Sequence, residues 1–233
     1  MAELTTDVRV YAEQVRQLYR LSRPAYVGTL INSTILAFAL WGLVSTAHLG
    51  GWLCAIFFVT AGRYLLYRTY YGINPPDEAA PQWGRRFIIG AGVTGLLWGV
   101  AGSVLYPASS LLHQFLVIFL IGGMVVAAMV VLAPIPQAAL AFMLPALALT
   151  AATVFAQGTI QHFYMGLLMI VLLAVLLGTM PVLSGMMQGA MRVRFENATL
   201  VEMLSRANRE LSERVTAQQH AEEVLRQTSQ KFE

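Results

Sequence analysis

Residues 161–182 read QHFYMGLLMIVLLAVLLGTMPV, and residues 201–225 read VEMLSRANRELSERVTAQQHAEEVL. The first stretch has no charged side chain and is long enough to cross a bilayer, for which about 20 apolar residues are needed. The second is charged and heptad-patterned. One core position reads Val201, Asn208, Val215, Glu222, and the other reads Leu204, Leu211, Gln218, Leu225. No clear helix stop separates the two, so the pattern predicts one helix that leaves the membrane as a coiled coil. Valine at a with leucine at d, and a single a-position asparagine, favours a parallel two-stranded coil.

Working outward, the composition fits that frame. The chain has 233 residues, 57% hydrophobic and only 12% charged. A soluble domain carries about twice that share of charge. The charges are also segregated: no Asp, Glu, Lys or Arg occurs from Pro24 to Gly62 or from Phe87 to Met191. Stretches so uniformly apolar do not alternate as barrel strands would. The fold class expected is all-α, a polytopic membrane protein with six transmembrane helices followed by a cytoplasmic coiled-coil signalling helix. The single cysteine, Cys54, cannot form an intrachain disulfide. Residues 1–23 include Glu3, Asp7 and Glu13, unlike a cleavable leader.

Three segments follow: residues 1–23 as an amphipathic juxtamembrane helix, 24–184 as a six-helix membrane domain, and 185–233 as the signalling helix. In the first, Val8, Tyr11, Val15, Leu18 and Ser22 share a face suited to an anionic leaflet. The spans expected are Tyr26–Ala47, Trp52–Tyr67, Phe87–Leu105, Leu111–Leu132, Gln137–Phe155 and Ile160–Val182. Residues Thr46–Gly51 form the first turn, and Arg68–Arg86 form a loop broken by Asn74-Pro75-Pro76-Asp77. Arg63 snorkels toward the headgroups beside Tyr64 and Tyr67. Pro145 falls inside span five and Pro181 near the end of span six. All 15 Lys and Arg residues lie in 1–23, 63–86 and 192–233. Six spans place those segments on one face, which the positive-inside bias makes cytoplasmic. Both termini are then cytoplasmic.

Within span three, Ala91, Gly95, Gly99 and Ser103 recur every fourth residue, a ladder that lets another backbone come close. Gly90-Ala-Gly92-Val-Thr-Gly95 matches GxGxxG, but it lies inside an apolar helix rather than at a strand-to-helix turn, so packing is the reading. Pro181, Gly185 and Gly189 mark a hinge between span six and the heptads, since Gly costs about 1 kcal/mol relative to Ala inside a helix.

Candidate ligand or metal residues are few. His48, His113 and His162 fall at the extracytoplasmic ends of spans one, four and six. Neutral imidazoles ligate metals and titrate in the physiological range, although such positions also tolerate His for no other reason. Asn32, Gln114 and Trp98, with the Met-rich segment Met124–Met143, could instead line an apolar pocket. No span has a central His, which argues against haem within the spans. Uncharged span interiors argue against pumps and ion-coupled transporters. No cofactor is indicated.

Short motifs bear a family resemblance. Ala221-Glu-Glu-Val-Leu-Arg-Gln-Thr-Ser-Gln-Lys-Phe232 resembles the helical lead-in to PAS domains. Leu18-Tyr19-Arg20, Gly95-Leu-Leu-Trp-Gly99, His113-Gln114-Phe115-Leu116 and Arg194-Phe195-Glu196-Asn197 resemble the MASE-type membrane-sensor region of bacterial diguanylate cyclases, cyclic-di-GMP phosphodiesterases and hybrid histidine kinases. The resemblance implies an inner-membrane homodimer that passes a signal to a C-terminal output domain: PAS, GGDEF, EAL or kinase. No Gly-Gly-Asp-Glu-Phe run, Glu-Ala-Leu signature or kinase nucleotide box occurs, so the expectation is an input region without catalysis of its own. The partner expected is a lipid bilayer, not nucleic acid. The alternatives are a small transporter or channel subunit, and a passive dimeric membrane anchor.

Overall fold

The computed structural model describes the backbone of residues 2–230, the side chains of residues 8–190, and part of those from 193 to 215. It divides into two units, Met1–Gln188 and Gly189–Glu233. The described residues form six α-helices: α1 (Ala2–Ala39), α2 (Thr46–Ile73), α3 (Ala80–Val104), α4 (Leu111–Leu132), α5 (Pro136–Ala156) and α6 (Ile160–Gln230). A 3-10 turn at Asp77–Ala79 precedes α3. No strand occurs among the described residues.

Helix ends follow local chemistry. Asn74 adopts the left-handed conformation (φ 45°) and donates its backbone N–H to the Tyr70 carbonyl at 3.0 Å, closing α2. Pro75 and Pro76 then prevent continuation. Gly42 and Gly158 take positive φ in the reversals after α1 and α5, where a Cβ would be strained. Pro81 and Pro136 start α3 and α5, where a missing N–H costs nothing.

Among the described residues, five helices are long and apolar enough to cross a membrane: α2, α3, α4, α5 and the Ile160–Ala190 part of α6. The protein is therefore an all-helical membrane protein. Its outer surface is apolar, with Phe119, Phe58 and Phe38 among the most exposed side chains. Water would not tolerate such a surface; hydrocarbon does.

The second half of α1 does not reach the hydropathy of the other five. Thr29, Asn32, Ser33 and Thr34 interrupt it, each bonded back to a carbonyl three or four residues earlier. Three boundaries also differ from the sequence expectation. The first reversal lies at Leu40–Ser45, so Thr46–Gly51 is the first turn of α2. That helix continues to Ile73, because nothing before Asn74 breaks it. The expected loop therefore shrinks to Asn74–Pro76 and the 3-10 turn.

Inside the first unit, α3 lies at the centre, with α1, α2, α4 and α5 against it. The α3–α5 pair is the tightest. Phe142, Pro145 and Thr150 of α5 approach Gly95, Gly99 and Gly102 in turn, so the two helices run parallel. The fourth rung is Gly102, not Ser103. A helix turns slightly more than 360° in four residues, so a long ladder drifts to an i+3 step. Ser103 returns its hydroxyl to the Gly99 carbonyl instead.

The first half of α1 belongs to this core. Val15, Leu18, Tyr19 and Ser22 are buried. Tyr19 stacks on Tyr70 at 4.1 Å, meets Phe87 edge-on at 5.1 Å and donates to the Trp83 carbonyl at 3.2 Å. The face read from the sequence is close to the observed one, but it covers the ends of α2 and α3 rather than a leaflet.

Candidate functional site

A cavity of about 280 Å³ opens where α1, α2, α3 and α4 converge. Its walls are mostly apolar, small at Ala25, Gly28, Ala127 and Ala128 and larger at Met124, Val131, Leu132, Phe87 and Phe142. Its polar groups are Ser22, Thr29, Asn32 and Arg63. Ser22 and Thr29 are committed to their own helix, donating to the Tyr19 and Ala25 carbonyls. Asn32 does the same with its amide, to the Gly28 carbonyl at 2.8 Å. The cation at Arg63 is the exceptional group.

Arg63 corrects an expectation. It does not snorkel beside Tyr64 and Tyr67, which form their own row with Tyr71. It turns inward because α3 makes room for it. A Cβ on Gly90 would stand 3.2 Å from the Arg63 Cγ, so the glycine lets the stem pack close against α3. One turn on, the Thr94 hydroxyl accepts from Nη1 at 3.1 Å and donates to the Gly90 carbonyl at 2.8 Å. The guanidinium lies 5.2 Å from the Tyr26 ring centre and 5.1 Å from that of Phe87. Among the described residues, no carboxylate pairs with it. An unpaired cation is costly to take out of water. Two cation–π contacts return roughly 0.5–2 kcal/mol each. They neutralise no charge.

A second polar cluster lies at the opposite end of the bundle. His162 is buried, and its Nε2 meets Gln114 Oε1 at 2.9 Å, while its Nδ1 meets the Thr159 hydroxyl at 2.6 Å. The Gln114 amide nitrogen faces the carbonyls of Pro107 at 3.1 Å and Ala108 at 3.3 Å. Those two acceptors fix the amide orientation, so Oε1 must accept from His162. Nε2 then carries the proton and Nδ1 accepts from Thr159, an assignment made from the network. Tyr106 lies edge-on to the imidazole at 6.3 Å, and its buried hydroxyl has no partner among the described residues. Burial pushes that hydroxyl up to about 12.

The remaining candidates are scattered. His48 is exposed at the start of α2, and His113 pairs with the Ser110 hydroxyl at 2.7 Å. No group of three or more His, Cys, Asp or Glu that could hold a metal occurs among the described residues. Gln114 thus joins only His162 of the three histidines. Trp98 is a core residue rather than a cavity wall, edge-on to Trp52 at 5.6 Å, with its buried Nε1 unpaired. Ala91, Gly95 and Gly99 face other helices, as packing requires.

Helix α6 holds to α4 along a buried stripe of His162, Met165, Met169, Leu176, Met180 and Ser184. Ser184 donates to the Ala133 carbonyl at 2.8 Å, and Thr179 faces the Met129 sulfur at 3.9 Å. Pro181 lies inside an unbroken helix, and a Cβ at Gly185 or Gly189 would meet nothing within 4 Å. In the second unit Val201, Leu204, Asn208, Leu211 and Val215 are all exposed. The side chain of Leu225 lies outside the described residues.

Nothing in the sequence alone marks Tyr106, Thr159 or Ser184 as a site residue, or turns Arg63 inward. Only Arg63 left a trace, as an isolated charge with Gly90 and Thr94 a turn apart on the next helix. No family of known proteins, no curated protein and no solved structure matches this chain.

Proposed function

We propose that this chain is the membrane-embedded input region of a bacterial signal-transduction protein. The six-helix bundle receives a stimulus. Helix α6 carries it to a parallel dimeric coil, which hands it to a cytoplasmic output domain of the cyclic-di-GMP-turnover or histidine-kinase kind. The observation that carries this reading is α6 itself, helical from Ile160 to Gln230, with an apolar first part and a heptad stripe beyond it. Val201, Leu204, Leu211 and Val215 of this stripe are exposed in the single chain, and heptad spacing fits them to a second copy. The MASE-type resemblance points the same way.

In this reading α1 makes the sixth crossing. Its outward stripe is Val27, Ile31, Ile35 and Phe38, and its Ser and Thr hydroxyls are satisfied along its own backbone. A helix with apolar residues outside and small polar ones inside suits lipid. Six crossings put the Arg-rich segments, and both termini, on the cytoplasmic face of the inner membrane.

Cysteine crosslinking in membranes tests the coil. With Cys54→Ala as background, Leu204→Cys and Leu211→Cys should give disulfide dimers, and Arg206→Cys, on the outer face of the heptad, should give few. Equal yields at all three positions would remove the parallel coil.

Arg63 supports one other reading, a small anion transporter, since an intramembrane cation commonly marks a substrate path. Anion flux into proteoliposomes that is lost in Arg63→Gln would favour it.

A further inference from the structure

We infer that the cavity beside Arg63 binds an anionic amphiphile: a carboxylate or phosphate headgroup on an aliphatic chain. The inference rests on the placement of the bundle in a membrane. A guanidinium has five N–H donors in a fixed fork. Here one atom, Nη1, bonds to Thr94, and no protein carboxylate answers the charge among the described residues. An anion supplied from outside completes the set, and a planar fork suits a carboxylate or phosphate.

The walls specify the rest of the ligand. Beyond Arg63 the cavity runs between α1 and α4, from Ser22 and Leu132 toward Asn32 and Met124. At 1.5 Å per residue, that is a slot roughly 12–15 Å long. Its volume, with Ala25, Gly28, Ala127 and Ala128 among the walls, leaves room for a chain of methylenes, and its apolar surface gives no reason to hold a free inorganic ion. Pro24 and Ala127 are exposed on its two edges, and Gly28 has nothing within 4 Å of where its Cβ would lie. The slot therefore opens sideways, toward lipid. On α2, Arg63 immediately precedes the Tyr64–Tyr67–Tyr71 row in sequence. Tyrosines of this kind gather where headgroups meet chains. An amphiphile entering from the bilayer brings its charged end to that depth. Seated there, it would touch α1, α2 and α4 at once and so bias how they pack.

The test uses the full chain in nanodiscs of phosphatidylcholine, with radiolabelled palmitate as probe. Palmitate should bind saturably, and methyl palmitate, which lacks the charge, should not compete. Arg63→Gln should weaken binding at least about tenfold, the worth of a charged hydrogen bond. Arg63→Lys should retain part of it. Ala127→Trp, which fills the mouth and leaves Arg63 in place, should also reduce it. Tryptophan emission and the thermal midpoint monitor folding; if Arg63→Gln does not fold, the ester competition and Ala127→Trp decide. Nanodiscs containing phosphatidylglycerol separate the sources. If that lipid displaces palmitate from the wild type, a bilayer phospholipid occupies the site; if not, a free fatty acid does. The proposal is overturned if the ester competes as well as the acid, if folded Arg63→Gln binds like the wild type, or if neither anion binds saturably. Palmitate binding that leaves Leu204→Cys crosslinking unchanged keeps the site and removes only the relay.

Discussion

The amide of Gln114 and the imidazole of His162 meet at 2.9 Å, joining the start of α4 to the start of α6 across 48 residues of chain. Each partner is oriented from behind, Gln114 by two carbonyls and His162 by Thr159. Removing either leaves a buried polar group unpaired, which costs about 1–3 kcal/mol. Gln114→Leu and His162→Ala should each lower the thermal midpoint in detergent. The double variant should cost less than the sum, with a coupling of about 1–2 kcal/mol. Strict additivity would mean that the bond contributes nothing.

Glycines of α3 divide into those that touch backbone and those that do not. A Cβ at Gly95 or Gly99 would run into the carbonyl of Phe142 or Pro145, neither of which can move without its helix. Gly95→Ala and Gly99→Ala should each destabilise by about 1–3 kcal/mol through overpacking. At Gly92 the same methyl would stand 3.6 Å from Ala141, ordinary contact. Gly92→Ala should be neutral or gain up to about 1 kcal/mol of helix propensity. Thermal unfolding of the three variants side by side checks the ranking.

Around Tyr19, ring burial outweighs charge. The Arg16–Asp77 ion pair links α1 to the turn before α3, but both side chains are part-exposed. Asp77→Asn should therefore cost under about 1 kcal/mol. Tyr19→Ala removes a buried ring that touches Tyr70, Trp83 and Phe87 and should cost about 3–5 kcal/mol. Tyr19→Phe, which loses only the bond to the Trp83 carbonyl, should cost about 1 kcal/mol. Chemical denaturation separates the three.

Tyr106 gives a pH signature. Burial raises its hydroxyl from 10.0 to about 12 in the folded protein. The unfolded chain releases that proton first, so stability is level below about pH 10 and declines as pH rises toward 12. Tyr106→Phe should lack this component. It should also be neutral or about 1 kcal/mol more stable at pH 7, because the hydroxyl it removes has no partner. The difference in tyrosinate absorbance between wild type and variant reads the titration directly.

Hydropathy and Pro/Gly placement exposed the apolar helices α2–α6 in the sequence, along with the turns near Asn74, Pro107, Pro134 and Gly158. These are properties of one segment at a time. The inward turn of Arg63 was hidden because it depends on Gly90 and Thr94 of another helix. The burial of Tyr19 depends on Tyr70 and Trp83, far along the chain. Gln114 and His162 were each singled out, yet nothing in their spacing could pair them. Thr29, Asn32 and Ser33 lowered the apparent hydropathy of α1, although their polarity is absorbed by the helix that carries them.

Because Ser184 holds the Ala133 carbonyl at the far end of the same pair of helices, α6 is pinned at both extremities of α4. A one-turn ratchet of α6 along its own axis, about 5.4 Å, would tear both fastenings together. An axial shift of α6 alone breaks both bonds; one that keeps them carries α4 along, and α4 forms one wall of the cavity beside Arg63.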